Sequence, residues 1–426
     1  MRLTPELTTN QRPVRYTSLV SLRIYRIILS HALTGFICWY GIEKIFEKSI
    51  GISTLGISIL AVTYITTSAL LNVPTGILAD KYGRKYAILL ATVALLLSSI
   101  VGGLAHSYWQ YLFATGLWGI FYTTQNGAYE SILYDTLQEE SNEQAYARYQ
   151  GLSSSAFWLA IFVSSVLGAW AGNKYGLRTA YFLTIIPNIL NLWLALSLHE
   201  PHRAKLSKHI TSLAMISQGF RFLRSSPQTF SIASVYLLLA LVAWTTNEFG
   251  QLFFIELGFS IIVIGLLNAF SGLAQSIGNL IGHRFGRISA RFSVVTLMSL
   301  FILTFALPTS YRYLSSTLFL GLVLVRNIFY IANNSALHHS LPSSIRATTI
   351  SSLGMMNDGL LIIGYLSFGL ISRASNVRVG YLAVAVYGLG LFGAVRLFAR
   401  SNRFKASFET SGTQLVVIEE VDSVPR

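Results

Sequence analysis

Cysteine is all but missing and charge is scarce. Cys38 is the single cysteine among 426 residues, which excludes an intrachain disulfide and a cysteine-based metal cluster. Charged residues make up 11% of the chain, where a soluble domain carries roughly 25%. Prolines number 9, too few for a proline-rich linker protein or a collagen. No G-x-x-x-x-G-K-[ST] loop occurs, so nucleotide-driven chemistry within this chain is not expected. The first twenty residues hold basic side chains but no short apolar region ending in a small-residue cleavage site, so no removable signal peptide is expected.

What is present is apolar sequence. Apolar residues make up 53% of the chain and mean hydropathy is +0.56. Long apolar runs recur from about residue 22 to residue 399, each near the ~20 residues that a helix needs to cross a bilayer core. Twelve spans are expected, at 22–42, 52–79, 86–105, 109–134, 148–170, 177–198, 228–256, 260–282, 289–308, 313–340, 346–371 and 377–399. The fold class is therefore an all-α membrane protein. Its parts are an N-terminal segment 1–21, a six-helix bundle 22–198, a linker 199–227, a second six-helix bundle 228–399 and a tail 400–426.

The linker is the longest polar break. Ile210, Leu213, Ile216, Phe220 and Leu223 recur in it at helical spacing, which suits a helix lying on the membrane surface; an unstructured linker is the alternative. A net charge of +14 would point to nucleic acid in a soluble protein, but here the basic residues sort by side. Alternate breaks and both termini, taken with the span ends that flank them, hold 23 lysines and arginines against 7 on the other side, Arg326 being left out as lying within a span. By the positive-inside rule both termini are expected in the cytoplasm of a cell membrane, plasma or bacterial inner.

Between the second and third spans stands Gly76-Ile-Leu-Ala-Asp80-Lys81-Tyr-Gly83-Arg84-Lys85. This resembles the cytoplasmic signature of the major facilitator superfamily. A weakened copy, His283-Arg284-Phe-Gly286-Arg287, follows 203 residues later between the eighth and ninth spans, as expected for an internal repeat of two bundles. Pro74-Thr75 before the motif, and Pro342 with Arg346-Ala-Thr before the eleventh span, look like many bacterial members. The physics of the turn stands apart from the likeness: Gly83 gives backbone freedom, Gly76 permits close helix approach, and Asp80 suits a helix N-terminus. The resemblance implies that Asp80 and Arg84, completed by Asp135 and Arg148, form a cytoplasmic gate that locks the halves in one state.

Ionisable groups inside spans are functional candidates by default. Arg326 and Asp358 fall near mid-membrane on the tenth and eleventh spans and are expected to approach each other. In that reading Asp358 is proton-sensitive and Arg326 anchors a negative or carbonyl group of the solute; a permanent salt bridge is the alternative. Glu248 and Glu130 are the next candidates for proton coupling, and His31 is read as an interior histidine. The resemblance also implies which spans line a cavity, and polar residues fall there at helical spacing. They are Trp118, Tyr122, Gln125 and Tyr129 on the fourth span, and Trp244, Asn247 and Gln251 on the seventh. Asn268, Ser271 and Gln275 follow on the eighth, and Tyr330 and Asn333 join Arg326 on the tenth. Helix packing through interhelical hydrogen bonds is the other use of such stripes.

The expected function is secondary transport of a small organic solute by alternating access, with proton-coupled efflux of drug-like or metabolite substrates as the leading form. An uncoupled facilitator, a proton-coupled importer and a non-transporting sensor are the alternatives. The fifth span departs from the exporter pattern: it keeps Gly168 and Gly172 but has no proline, and the fourth span has no arginine. No cofactor or metal is expected, and the partners expected are the solute, protons and the bilayer around a monomer. An enzyme is not expected, since His338 and His339 are adjacent and the acidic run Glu139, Glu140, Glu143 has no histidine nearby in sequence.

Overall fold

The computed structural model describes residues 18–125, 127–201, 227–285, 289–341 and 346–400. The expected linker helix, residues 1–17 and 401–426 of the terminal segments, Gly286, Arg287 and Pro342 lie outside the described residues. Every α or 3₁₀ element among the described residues is helical in kind, and no strand occurs there. In chain order the helices are α1 (Ser18–Thr34), α2 (Glu43–Ser49), α3 (Thr54–Tyr82), α4 (Arg84–Leu104), α5 (Tyr108–Gln125), α6 (Ala128–Glu139) and α7 (Tyr146–Tyr175). They continue as α8 (Arg178–Leu196), α9 (Pro227–Glu256), α10 (Ile261–Gly282), α11 (Ala290–Ala306), α12 (Arg312–Ser340), α13 (Arg346–Ala374) and α14 (Val377–Arg400).

Nine of these, α3, α4, α7 to α10 and α12 to α14, are long and apolar enough to cross a membrane. Two expected spans are not single helices. The first ends at Thr34, passes through a 3₁₀ turn at Cys38–Gly41 and resumes as α2. A break inside apolar surroundings frees backbone groups that must find partners. Here Ile37 N donates to Ser164 Oγ on α7 at 3.1 Å and Cys38 N donates to Thr184 Oγ1 on α8 at 2.9 Å. The fourth span breaks at Gly127, whose φ of +76° is left-handed and favours glycine, giving α5 and α6.

Within the first half α5 packs along α3 and α4, α4 along α8, and α1 along α7; within the second, α12 packs along α9 and α10, and α13 along α14. The halves meet through α3 with α13 and through α7 with α10. These are spans two with eleven and five with eight, the two contacts that a two-fold relation exchanges. A second mark of the repeat was not expected from the sequence. Arg178, opening α8, donates to the carbonyls of Gly103 and Ala105 at the end of α4, at 2.5 and 2.8 Å. Arg378, 200 residues later and opening α14, donates to the Leu307 carbonyl at the end of α11 at 2.8 Å.

The aromatic core of the second half is concentrated at the end of the bundle away from the Asp80 turn. Phe249 stacks on Phe368 with centroids 4.1 Å apart, and Phe305 stacks on Tyr381 at 3.8 Å.

Candidate functional site

Glycine sets the position of the short helix α2. A Cβ at Gly168 on α7 would overlap the Cys38 carbonyl, and one at Gly172 would lie 2.8 Å from Ile42 Cδ1, so these glycines let α7 press on the main chain of the break. Held there, α2 carries Glu43, Lys44 and Glu47 inward, with Lys44 3% and Glu47 1% exposed. Lys44 Nζ lies 3.2 Å from Glu43 Oε2, 3.2 Å from Glu47 Oε1 and 2.8 Å from Glu248 Oε1 on α9. Gln251, one turn further along α9, accepts from Lys44 N at 3.0 Å and donates to the Tyr40 carbonyl at 2.8 Å. Tyr64 donates to Glu248 and Tyr111 to Glu43, at 3.3 and 3.4 Å. Charges and hydrogen bonds from both halves thus converge at one end of the bundle.

A cavity of about 340 Å³ lies between the halves and reaches from this cluster to Gly127 and Glu130. Its far end is closed by the cluster and by close approaches across the halves: a Cβ at Gly369 on α13 would lie 2.5 Å from Ser58 of α3, and Gly265 of α10 meets Ala169 of α7. Toward the Asp80 turn the same helices lose this contact. Leu70, Val73 and Ile77 of α3 are exposed, as is Met355 of α13, and a Cβ at Gly76 would meet nothing.

Most of the expected wall residues do line the cavity. Trp118, Tyr122 and Gln125 face it from α5, and Tyr129 from α6, although the helix between them is broken. From the second half come Trp244, Asn247, Glu248 and Gln251 on α9 and Asn268 and Gln275 on α10. Tyr129 is buried and shares a 2.9 Å hydrogen bond with Ser30, while its ring stacks on His31 at 4.6 Å. His31 is also stacked on Phe157 and is 2.8 Å from Ser153 Oγ, an interior histidine as expected. Glu130 is exposed and accepts from Gln150 at 3.0 Å.

Arg326 and Asp358 are not brought together. The Arg326 side chain is fully buried and its guanidinium is given to the Val242 and Ala243 carbonyls, Thr246 Oγ1 and Asn247 Oδ1 of α9, with Gln275 Oε1 at 3.4 Å. Its partners are neutral acceptors, so the expected ion pair is replaced by a three-helix knot of α9, α10 and α12. Asp358 stands apart on α13, half-buried and hydrogen-bonded with Asn357. Neither Arg326, Tyr330, Asn333 nor Asp358 is on the cavity wall. Tyr330 instead shares a 3.0 Å hydrogen bond with Tyr236. Ser271 donates to its own helix at the Leu267 carbonyl.

At the opposite end Asp80, half exposed, pairs with Arg84 of the same turn at 3.2 Å. Glu200, rather than Asp80, caps the neighbouring helix: it accepts from Arg84 N and Lys85 N at 2.8 and 2.7 Å, where the macrodipole favours a carboxylate. Lys85 Nζ in turn donates to the Leu196 carbonyl at 2.6 Å, and Lys81 lies over the Tyr82 ring. Gly83 has φ of +110°, and its missing side chain makes room for Glu200. Arg148 lies over Tyr149, 6.0 Å from its ring centre. The acidic run near Asp135 does have a histidine close in space: His199 Nε2 is 3.4 Å from Glu139 Oε2, and Arg23 pairs with Glu140 at 3.1 Å.

Sequence reasoning missed Glu43, Lys44 and Glu47. They fall in a stretch too short to be a span and look like a loop. The signal available was local: acids one residue before and three after a lysine, with Ile42 and Phe46 at helical spacing.

Two helical halves around one central cavity, with broken helices at its wall, define a polytopic membrane protein of the transporter class. Residues 27–365 match the model of the Major Facilitator Superfamily, and the chain belongs to that family. Among its relatives, an uncharacterised transporter of the same type from Methanocaldococcus jannaschii is 20% identical over 384 residues, spanning 85% of this chain and 94% of that one. A probable 4-methylmuconolactone transporter from Cupriavidus pinatubonensis is 23% identical over 47% of this chain and 48% of its own. Of solved structures, the nucleoside transporter NupG covers 91% of this chain and 100% of its own, with a TM-score of 0.70 and 16% identity. An inward-facing, unoccupied bacterial homologue of the lysosomal transporter Spinster covers 93% and 99%, at 0.69 and 17%. At these identities the solved structures speak for the fold.

Proposed function

We propose that the protein is a proton-coupled secondary transporter that exports a small organic solute by alternating access across the cell membrane. The observation that carries this reading is the cavity: it lies between the halves, is shut at one end by bonds that cross them, and has carboxyl groups on its wall. The 23 to 7 division of basic residues supports placing the Asp80 end and both termini in the cytoplasm. On that placement the shape is inward-facing, ready to collect a solute from the cytoplasmic side.

Glu248 is the first candidate for proton coupling. Its carboxylate joins Lys44 across the halves, so taking up a proton weakens the pair and biases the equilibrium between shapes. Asp358 and Glu130 are the second and third. Asp80, Lys81, Arg84, Lys85, Asp135 and Arg148, with Gly76 and Gly83, are assigned to the cytoplasmic gate, which stands open in this shape.

The test is flux in liposomes holding the purified protein, with pH gradients of either sign. Expected is solute movement opposite to the imposed proton movement, lost when a protonophore collapses the gradient. Movement with the protons makes the protein an importer, and gradient-independent flux makes it a facilitator.

A further inference from the structure

Resting on the transporter reading above, we infer that the solute is an organic cation with an apolar or aromatic body, and that its charge is held by Glu47 and Glu248 in competition with the Lys44 ammonium. The charge count of the cavity wall points there. Its ionisable groups are His31, Glu43, Lys44, Glu47, Glu130 and Glu248: four carboxyls and one lysine, with the histidine already stacked and hydrogen-bonded. The buried arginine that the sequence offered as an anchor for a negative group lies off the cavity wall, with its two terminal nitrogens given to α9 and α10.

At the Lys44 end the imbalance is local. One ammonium serves three carboxyls, and the second oxygen of Glu47, on a side chain 1% exposed, has no hydrogen-bond partner. Two further cations stand beside the cluster and both are engaged elsewhere. Lys48, which also feels Glu47, donates to Thr54 Oγ1 at 2.7 Å, and Arg178 gives its donors to the Gly103 and Ala105 carbonyls. Tyr40, Tyr64, Tyr111, Tyr181 and Tyr365 bring hydroxyls from five elements. Surplus negative charge in a buried place is tolerated only when protons or a cation balance it. Lys44 itself shows the chemistry that the place accepts, an alkylammonium 2.8 to 3.2 Å from carboxylate oxygens.

The rest of the wall suits the body of such a solute. Trp39, Trp118, Tyr122 and Trp244 surround the space next to the cluster, and aromatic faces attract cations as well as apolar surface. A negative solute meets carboxylates with no spare donor cation on the wall, so its charge is repelled where a cation's is held. A cation arriving at Glu47 and Glu248 competes with protons for the same carboxylate oxygens, so shared occupancy links solute release to proton uptake. It also draws Glu248 away from Lys44, loosening the bond that closes this end.

The experiment compares two ions of one shape and opposite charge on the wild-type protein in detergent, tetraphenylphosphonium and tetraphenylborate, read by saturable thermal stabilisation. Expected is stabilisation by the phosphonium at least ~10-fold lower in concentration than by the borate, with a loss of about tenfold in phosphonium affinity in Glu47→Gln. Lys44→Gln, which removes the internal competitor, is expected to tighten phosphonium binding. Equal stabilisation by both ions, preference for the borate, or unchanged affinity in folded Glu47→Gln overturns the inference. Because the comparison needs no pH gradient, its failure leaves proton-driven flux standing. Failure of gradient-driven flux likewise leaves a cation site.

Discussion

Lys44 and Glu248 lie 2.8 Å apart on opposite halves of the bundle, the first on the seven-residue helix that follows the break in the first span and the second on α9. Lys44 is 4% exposed by side chain, so removing it strands three carboxyls. Taking one partner from a buried pair costs ~3–5 kcal/mol. Lys44→Met is therefore expected to lower Tm sharply at neutral pH, and to recover stability as the pH falls and the stranded carboxyls take up protons. Thermal unfolding measured across pH reads both effects; a Tm deficit that stays constant with pH sinks the argument.

Glu248→Gln separates coupling from translocation. The amide keeps the shape and can still accept from Lys44 and Tyr64, but it cannot exchange a proton. Solute counterflow without a gradient should persist at a lowered solute affinity, since Glu47 remains, while proton-driven accumulation is lost. Normal accumulation in Glu248→Gln, together with its loss in Asp358→Asn, moves the coupling site to α13.

The Asp80 turn is expected to affect rate and not affinity. Asp80 touches Arg84 within its own turn and is remote from the cavity. Asp80→Asn should slow flux while leaving solute affinity within about threefold, since it biases a conformational equilibrium and removes no contact with the solute. Binding and flux measured on the same preparation decide it.

Arg326 is expected to hold the fold and not the solute. Arg326→Lys supplies a point charge where the neutral acceptors of α9 need a planar fork, leaving buried groups unsatisfied at ~1–3 kcal/mol each. Tm should fall while solute affinity in the folded fraction stays within about threefold. A tenfold loss of affinity at unchanged Tm would return Arg326 to the binding site.

Two glycines of the first half, on α7 and α5, give a matched pair. Gly168→Ala drives a methyl into the Cys38 carbonyl and is expected to cost at least ~1–3 kcal/mol, whereas Gly116→Ala meets open space and should gain up to ~1 kcal/mol in helix propensity. Folded yield and Tm of the two variants should move in opposite directions.

Most of the helices were legible because a membrane span announces itself by length and hydropathy, and because the Asp80 motif stands at a turn that charge and glycine both mark; which helices pair was not. The stripe Trp118, Tyr122, Gln125, Tyr129 was legible for a similar reason, since helical spacing survives even where Gly127 bends the chain. The cluster around Lys44 was not. A seven-residue helix carries too little sequence to show a period, and its burial is decided elsewhere, by Gly168 making room on α7 and Gln251 reaching from α9. Arg326 misled for a converse reason: depth along a helix is readable from residue counting, but the direction in which a side chain turns is not. Its acceptors are backbone carbonyls and amides, which carry no sequence sign of the partnership.

The broken first span also settles which side of a moving joint α2 belongs to. Toward its own half it is pinned by main-chain contact: Gly168 beneath the Cys38 carbonyl, and the Ile37 and Cys38 amides bonded to α7 and α8. Toward the other half it is held by two side chains of α9, Glu248 on the Lys44 ammonium and Gln251 on the Lys44 amide and the Tyr40 carbonyl. No glycine contact of the Gly168 kind occurs there among the described residues. Packed main chain has no second seat within reach, while side chains re-form their bonds with water in passing. On the alternating-access reading proposed above, α2 is expected to travel with the first six spans, and the seam that opens to run between Lys44 and Glu248.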